Sequence, residues 1–122
     1  MADKKQYITQ VNENGQIFIS EDVISTIAYR ALQEVEGFGA LIARNNADFS
    51  MPLNAKNWHR GMRIDITEKG NVLVEMNILV KYGTNIVNVA KQIQDTVSNT
   101  IGSTIGLYPK RVNVNICGIV RK

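Results

Sequence analysis

Acid–base, nucleophilic and metal chemistry in a small protein usually runs through histidine, cysteine and paired carboxylates. This chain has few of them. His59 is its only histidine and Cys117 its only cysteine, which leaves no His-based metal cluster to build. His59 stands in an irregular stretch beside Trp58 and Arg60 and reads as a solvated loop side chain. Cys117 stands in an alternating strand pattern without a local nucleophile signature and reads as a small strand residue. Two carboxylate pairs remain. Glu21 and Asp22 fit the first turn of a helix, where the positive helix end favours them. Glu34 and Glu36 fall at the other end of the same helix, where negative charge is disfavoured, so they are either solvated or meet a basic partner. "KYGTNI" offers the single Gly83 and no following Gly-Lys-Ser/Thr, so it reads as a turn rather than a phosphate cradle. "IGSTIG" has GxxxG spacing in a polar segment, which excludes the membrane-helix use of that motif. It is also one residue too long for the GxxG clamp of a KH domain. No catalytic, cofactor or metal residue is assigned.

The elements that position these residues follow from periodicity. Residues 1–14 are polar and read as a loosely attached arm ahead of one domain over 15–122. "GQIFIS" is a short strand, and Ser20 is placed to cap the helix that follows. Ile24, Ile27, Ala28, Ala31, Leu32 and Val35 form its apolar stripe, and Gly37 is expected as its C′ glycine. "FGALIA" is a second strand. The stretch Arg44–Gly61 is irregular, with room for a short helical turn.

"MRIDITEKGNVLVEMNILVKY" is a hairpin whose register can be derived. Met62, Ile64 and Ile66 are apolar at even positions, and so are Val72, Val74, Met76, Ile78, Val80 and Tyr82. If both sets face the core, paired numbers must sum to an even value. A three-residue loop, Glu68-Lys69-Gly70, satisfies this and puts Gly70 at the left-handed position of a type I turn plus bulge. Arg63 then stands opposite Glu75. The second helix is capped by Thr84 or Asn85, buries Ile86, Ala90, Ile93, Val97 and Ile101, and is closed by Gly106 and Pro109. "RVNVNICGIV" is the last strand. The class is α+β: a single two-layer domain in the order β-α-β-β-β-α-β, with two amphipathic helices on one face of a mixed sheet.

Composition narrows the function. With 122 residues, 44% hydrophobic and 20% charged, the chain is an ordinary single globular domain. It has no apolar run of the roughly 20 residues a membrane span needs, and its start lacks a secretory h-region, so the expected address is the cytoplasm. The net charge of +3 is spread over pairs such as Lys4-Lys5, Lys110-Arg111 and Arg121-Lys122, without the dense stripe of a nucleic-acid binder. An RNA-binding reading would use Arg44, Lys56, Trp58, Arg60 and Arg63 and would show steep salt dependence.

Four stretches resemble one family. "GQIFISEDVISTIAYRALQEVEGF", "RGMRIDI", "NILVKYGTNIVNVAKQIQDTV" and "TIGLYPKRVNVNICGIV" are similar to the alkaline shock proteins, envelope and general stress proteins found mainly in Gram-positive bacteria. The resemblance spans residues 15–120. Its most specific parts are the EVEG helix end, the Tyr82-Gly83-Thr84-Asn85-Ile86 turn, and Gly106-Leu107 followed by the Val-Asn-Val strand. It implies a non-enzymatic role in cell-envelope stress response or homeostasis. It also implies a small membrane-anchored partner or self-association, at the inner face of the membrane, with no small-molecule substrate and no cofactor. The residues themselves indicate where such contacts fall. The solvent side of the second helix, Asn88, Lys91, Gln92, Gln94, Asp95, Ser98 and Asn99, is polar but almost uncharged, as interface centres are. Asn88, Gln92, Asp95 and Asn99 form its centre, and Glu34 and Glu36 are the second candidates.

Overall fold

Even-numbered apolar residues, alternating with polar ones, put one face of the central hairpin in the core. The computed structural model describes residues 7–43 and 58–120. Its elements are β1 (Tyr7–Asn12), β2 (Gly15–Ser20), α1 (Glu21–Leu32), β3 (Phe38–Leu41), a 3-10 turn (Trp58–Gly61), β4 (Met62–Ile66), β5 (Val72–Lys81), α2 (Ile86–Ile105) and β6 (Arg111–Val120). From Gly15 onward the order is the expected one, with the expected α+β architecture. β4 pairs antiparallel with β5, and Arg63 lies opposite Glu75. The closing turn has the predicted form: the Gly70 amide donates to the Thr67 carbonyl at 2.9 Å, the Thr67 amide to the Asn71 carbonyl at 2.9 Å, and Gly70 has φ +87°.

β5 organises the sheet. One of its edges is shared end to end by β4 and β3, and the other carries β6 in parallel. α1 packs over β4 and α2 over β6. Their stripes meet Val72, Val74, Met76, Ile78 and Val80 in a single core. The opposite face of the sheet is polar. There the Asn115 amide donates to Asn77 Oδ1 at 2.9 Å and to Glu75 Oε2 at 3.1 Å, which satisfies the buried Asn77. β6 changes phase at a bulge: Ile78 pairs Ile116, but Leu79 pairs Gly118, leaving Cys117 as the extra residue.

Five expectations are corrected. Tyr7–Asn12 is not a loose arm. It pairs with β2, buries Ile8 in the core, and ties Gln10 Nε2 to the Ile105 carbonyl at 3.0 Å. Consequently β2 lies in a separate two-stranded sheet rather than in the mixed one. α1 ends at Leu32, earlier than the apolar stripe suggested, and runs on through 3-10-type bonds from the Gln33, Glu34 and Val35 amides. Gly37, at φ +102°, turns the chain between Val35 and Phe38 instead of capping the helix, and an added Cβ would come 2.7 Å from Val89 Cγ2 of α2. Ser20 occupies the N-cap position of α1 without a side-chain cap bond. At α2 the choice resolves to Asn85, whose Oδ1 accepts from the Asn88 amide at 3.1 Å, while Thr84 Oγ1 donates to the Lys81 carbonyl at 2.8 Å. Gly106 closes α2 in the left-handed conformation.

Candidate interaction surface

The phase of α2 is set by Val89, Ile93, Val97, Ile101 and Ile105, all buried. Val89 thus replaces Ile86 and Ala90 at the start of the stripe, since Ala90 is half-buried and Ile86 is 37% exposed. Asn88, Gln92, Asp95 and Asn99 recur at steps of four and three on the opposite side, and all are exposed. Gln94 leaves that face, because its Nε2 donates to the Val112 carbonyl of β6 at 3.0 Å. Glu34 and Glu36 are exposed, in the turns after α1 rather than on it. Through Gly37 this turn abuts Val89 and Thr84, so it lies beside the first turn of α2. The structure therefore sets the Glu34–Glu36 turn beside the N-terminal end of α2, where the stripe begins at Asn88.

Sequence reasoning missed what else lies at that end. Tyr82, expected to face the core with the even positions of β5, lies just beyond the strand and is 72% exposed, and Val87 and Ile119 also present apolar surface. The Tyr82 amide donates to the Val120 carbonyl at 2.9 Å, and Val80 pairs with Ile119, which places these residues together. In the first turn of α2, Ile86 is partly covered and Val87 is 61% exposed. The available signal was two adjacent β-branched residues in the first turn, of which one helical face can bury only one.

The chemistry-bearing residues remain dispersed. His59 is exposed and meets Trp58 edge-on, with ring centroids 5.6 Å apart. Cys117 Sγ lies 3.7 Å from the Asn115 carbonyl. Among the described residues, no three His, Cys, Asp or Glu side chains cluster as a metal site would require. Of the residues in the RNA-binding reading, Arg44 and Lys56 lie outside the described residues. The Trp58 ring is stacked on Tyr29 at 4.3 Å, and Arg63 Nε pairs with Asp65 at 3.4 Å. Among the described residues, the one ring beside Arg60, Trp58, is thus already stacked on another ring instead of standing open to a base. A cleft of about 160 Å³ lined by Arg60, Met62, Arg63, Glu75 and Asn77 is smaller than typical ligand pockets of roughly 300–1,000 Å³.

A model of a family with cell envelope-related function matches residues 9–121. The chain belongs to the alkaline shock (Asp-23) family. The alkaline shock match includes β1 from Thr9, so most of the N-terminal strand belongs to the family domain. The uncharacterized protein YloU of Bacillus subtilis (strain 168) is 33% identical over 107 residues, which is 86% of this chain and 88% of that one. An uncharacterized protein of Streptococcus pyogenes serotype M6 is 28% identical over 109 residues, covering 88% and 89% respectively. A second B. subtilis relative, the uncharacterized protein YqhY, is 25% identical over 105 residues, covering 86% and 77%. No solved structure matches this alkaline shock protein significantly. Among the described residues, no helix is long and apolar enough to cross a membrane. Membership gives the chain a cell envelope-related role.

Proposed function

We propose that the protein acts without catalysis, as a cytoplasmic interaction module in envelope stress response or homeostasis. Its outer α2 face docks a small membrane-anchored partner or another copy of the chain at the inner side of the membrane. The observation that carries this is the exposed stripe Asn88, Gln92, Asp95 and Asn99, which has one charge and ends beside exposed Tyr82, Ile86 and Val87. A purely solubilising helix face normally carries salt-bridging Lys and Glu pairs, whereas interface centres are poor in charge and rich in aromatic and apolar side chains.

The test is the double variant Gln92→Glu with Asn99→Glu. Both positions are exposed, so unfolding free energy should change by less than about 0.5 kcal/mol. Two added carboxylates in a closely packed contact should weaken association by roughly ten-fold or more, read by sedimentation and by the membrane-bound fraction in cells. Wild-type behaviour in both assays overturns the assignment of this face and moves the search to Glu34 and Glu36.

A further inference from the structure

α2 carries two charged side chains, Lys91 and Asp95, one helical turn apart. Both are exposed, on the side of the helix turned away from Val89, Ile93, Val97 and Ile101. Lysine four residues ahead of aspartate is the weaker order for an ion pair within one helix. Among the described residues neither side chain has an ion-pair partner. The rest of that line is neutral. Asn88, Lys91, Asp95, Ser98 and Gly102 follow one another in alternating steps of three and four, the spacing with which a helix presents a straight seam to a second helix. The seam is symmetric about the level of Ile93: Lys91 and Asp95 lie two residues from it, Asn88 and Ser98 five.

The two ends of the seam are apolar. At the C-terminal end Gly102 has no side chain, and the Tyr108 ring lies where its Cβ would stand. That ring is 60% exposed. At the N-terminal end Val87 is 61% exposed. Two such helices in parallel register would set Lys91 against Lys91 and Asp95 against Asp95, like-charge contacts that disfavour association. Antiparallel packing centred on Ile93 sets Lys91 of each copy against Asp95 of the other, and Asn88 of each against Ser98 of the other. It also brings the Tyr108 end of each copy to the Val87 end of the other, so that each exposed apolar end is covered. A two-fold contact requires that residue i meets j while j meets i. This seam carries its own complement.

We infer that the α2 face pairs with the α2 face of a second copy, antiparallel about a two-fold axis at the level of Ile93, with reciprocal Lys91–Asp95 ion pairs at its centre. This rests on the α2 face being an interaction surface and names its occupant. The ion pairs fix direction and register, as single polar positions do between paired helices. The amide and hydroxyl layers on either side supply donors and acceptors across the seam.

The experiment is sedimentation equilibrium of the full chain and of charge-exchanged variants, each checked for a wild-type circular dichroism spectrum. The wild type should dimerise. Lys91→Glu leaves only carboxylates at the centre and Asp95→Lys only ammonium groups, so each should raise the dissociation constant roughly ten-fold or more. Mixed in equal amounts, these two variants should form a mixed dimer of about wild-type affinity, because each supplies the charge the other lacks. Lys91→Asp with Asp95→Lys in one chain should also restore self-association. Direction is read by cross-linking on a Cys117→Ser background, with oxidised glutathione as oxidant. There Asn88→Cys should form a disulfide with Ser98→Cys of another copy, and neither variant should link to itself. A wild type that stays monomeric at about 1 mM overturns the proposal. In that event, a membrane-bound fraction lowered by Gln92→Glu with Asn99→Glu would leave the face to a different protein, and an unchanged fraction would remove the face altogether. A dimer that both single exchanges leave intact overturns the proposal too. So does a mixture that fails to restore the dimer, or Asn88→Cys linking to itself.

Discussion

The molecule contains two antiparallel hairpins built on opposite plans. In β4–β5, Ile64, Ile66, Val72, Val74 and Met76 are buried on one face, while Arg63, Asp65 and Glu75 occupy the other. In β1–β2 both faces carry apolar side chains. Ile8 and Ile19 pair on the inner side, where Ile8 is buried, while Tyr7, Val11 and Phe18 are exposed on the outer side. The Tyr7 and Phe18 rings meet edge-on at 6.2 Å. β4–β5 gains a third strand in β6 and a cover of two helices. β1–β2 forms its own two-stranded sheet, held by Ile8 and by the bond from Gln10 to the end of α2. A lone two-stranded ribbon is marginal in water. The difference teaches that a hairpin's order depends less on its own ladder than on what lies against its faces.

Core truncation should separate the two most strongly. Ile66 and Ile8 are both almost fully buried. Ile66→Ala should cost about 2–5 kcal/mol in urea unfolding. Ile8→Ala should cost about 2 kcal/mol or less, because β1–β2 can open without the rest, and the β1–β2 amides should exchange faster than those of β5. Equal losses and equal exchange would erase the distinction.

Turn chemistry comes next. An added Cβ at Gly70 meets nothing within 4 Å, so the effect of a substitution there is carried by the backbone. Gly70→Val should destabilise by about 1–3 kcal/mol. Gly70→Asn should cost less, since asparagine tolerates positive φ. Identical melting of the two variants would show that the left-handed position does not hold the register. The smallest effect belongs to the outer face. Arg63→Glu would set a carboxylate opposite Glu75 and should cost about 0.2–1 kcal/mol, part of it recovered in high salt. A salt-independent loss would point to packing instead of charge.

The same contrast explains what could be read from the residues alone. The β4–β5 register was legible because a slip by one residue would have turned every core side chain outward. The first strand was not legible, because Tyr7, Ile8 and Val11 show no clean alternation and the core contact of Ile8 lies across the molecule. α2 was legible at its ends, where Asn85 and Gly106 act locally, and the stripe Asn88, Gln92, Asp95 and Asn99 followed from its phase. The end of α1 was not, because Val35 is buried by tertiary packing after the helical bonds have tightened. For the same reason the apolar end of the candidate site was missed: exposure of Tyr82, Val87 and Ile119 depends on how the ends of β5 and β6 and the start of α2 are placed, which no local pattern carries. The Cys117 bulge, which reverses the phase of β6, leaves no mark in the residue types.

β5 alone touches β3, β4 and β6, and this has a kinetic meaning. Its contact with β4 closes a three-residue loop and belongs to the microsecond events of folding, on the order of 1–10 μs. Its contact with β6 must wait for the whole of residues 82–110 to wind up and return, a far larger loss of chain freedom before any ladder bond rewards it. The two sides of one strand are thus assembled on different clocks. Changes at the β4–β5 turn should govern how fast the molecule forms, and changes along β6 how long it lasts.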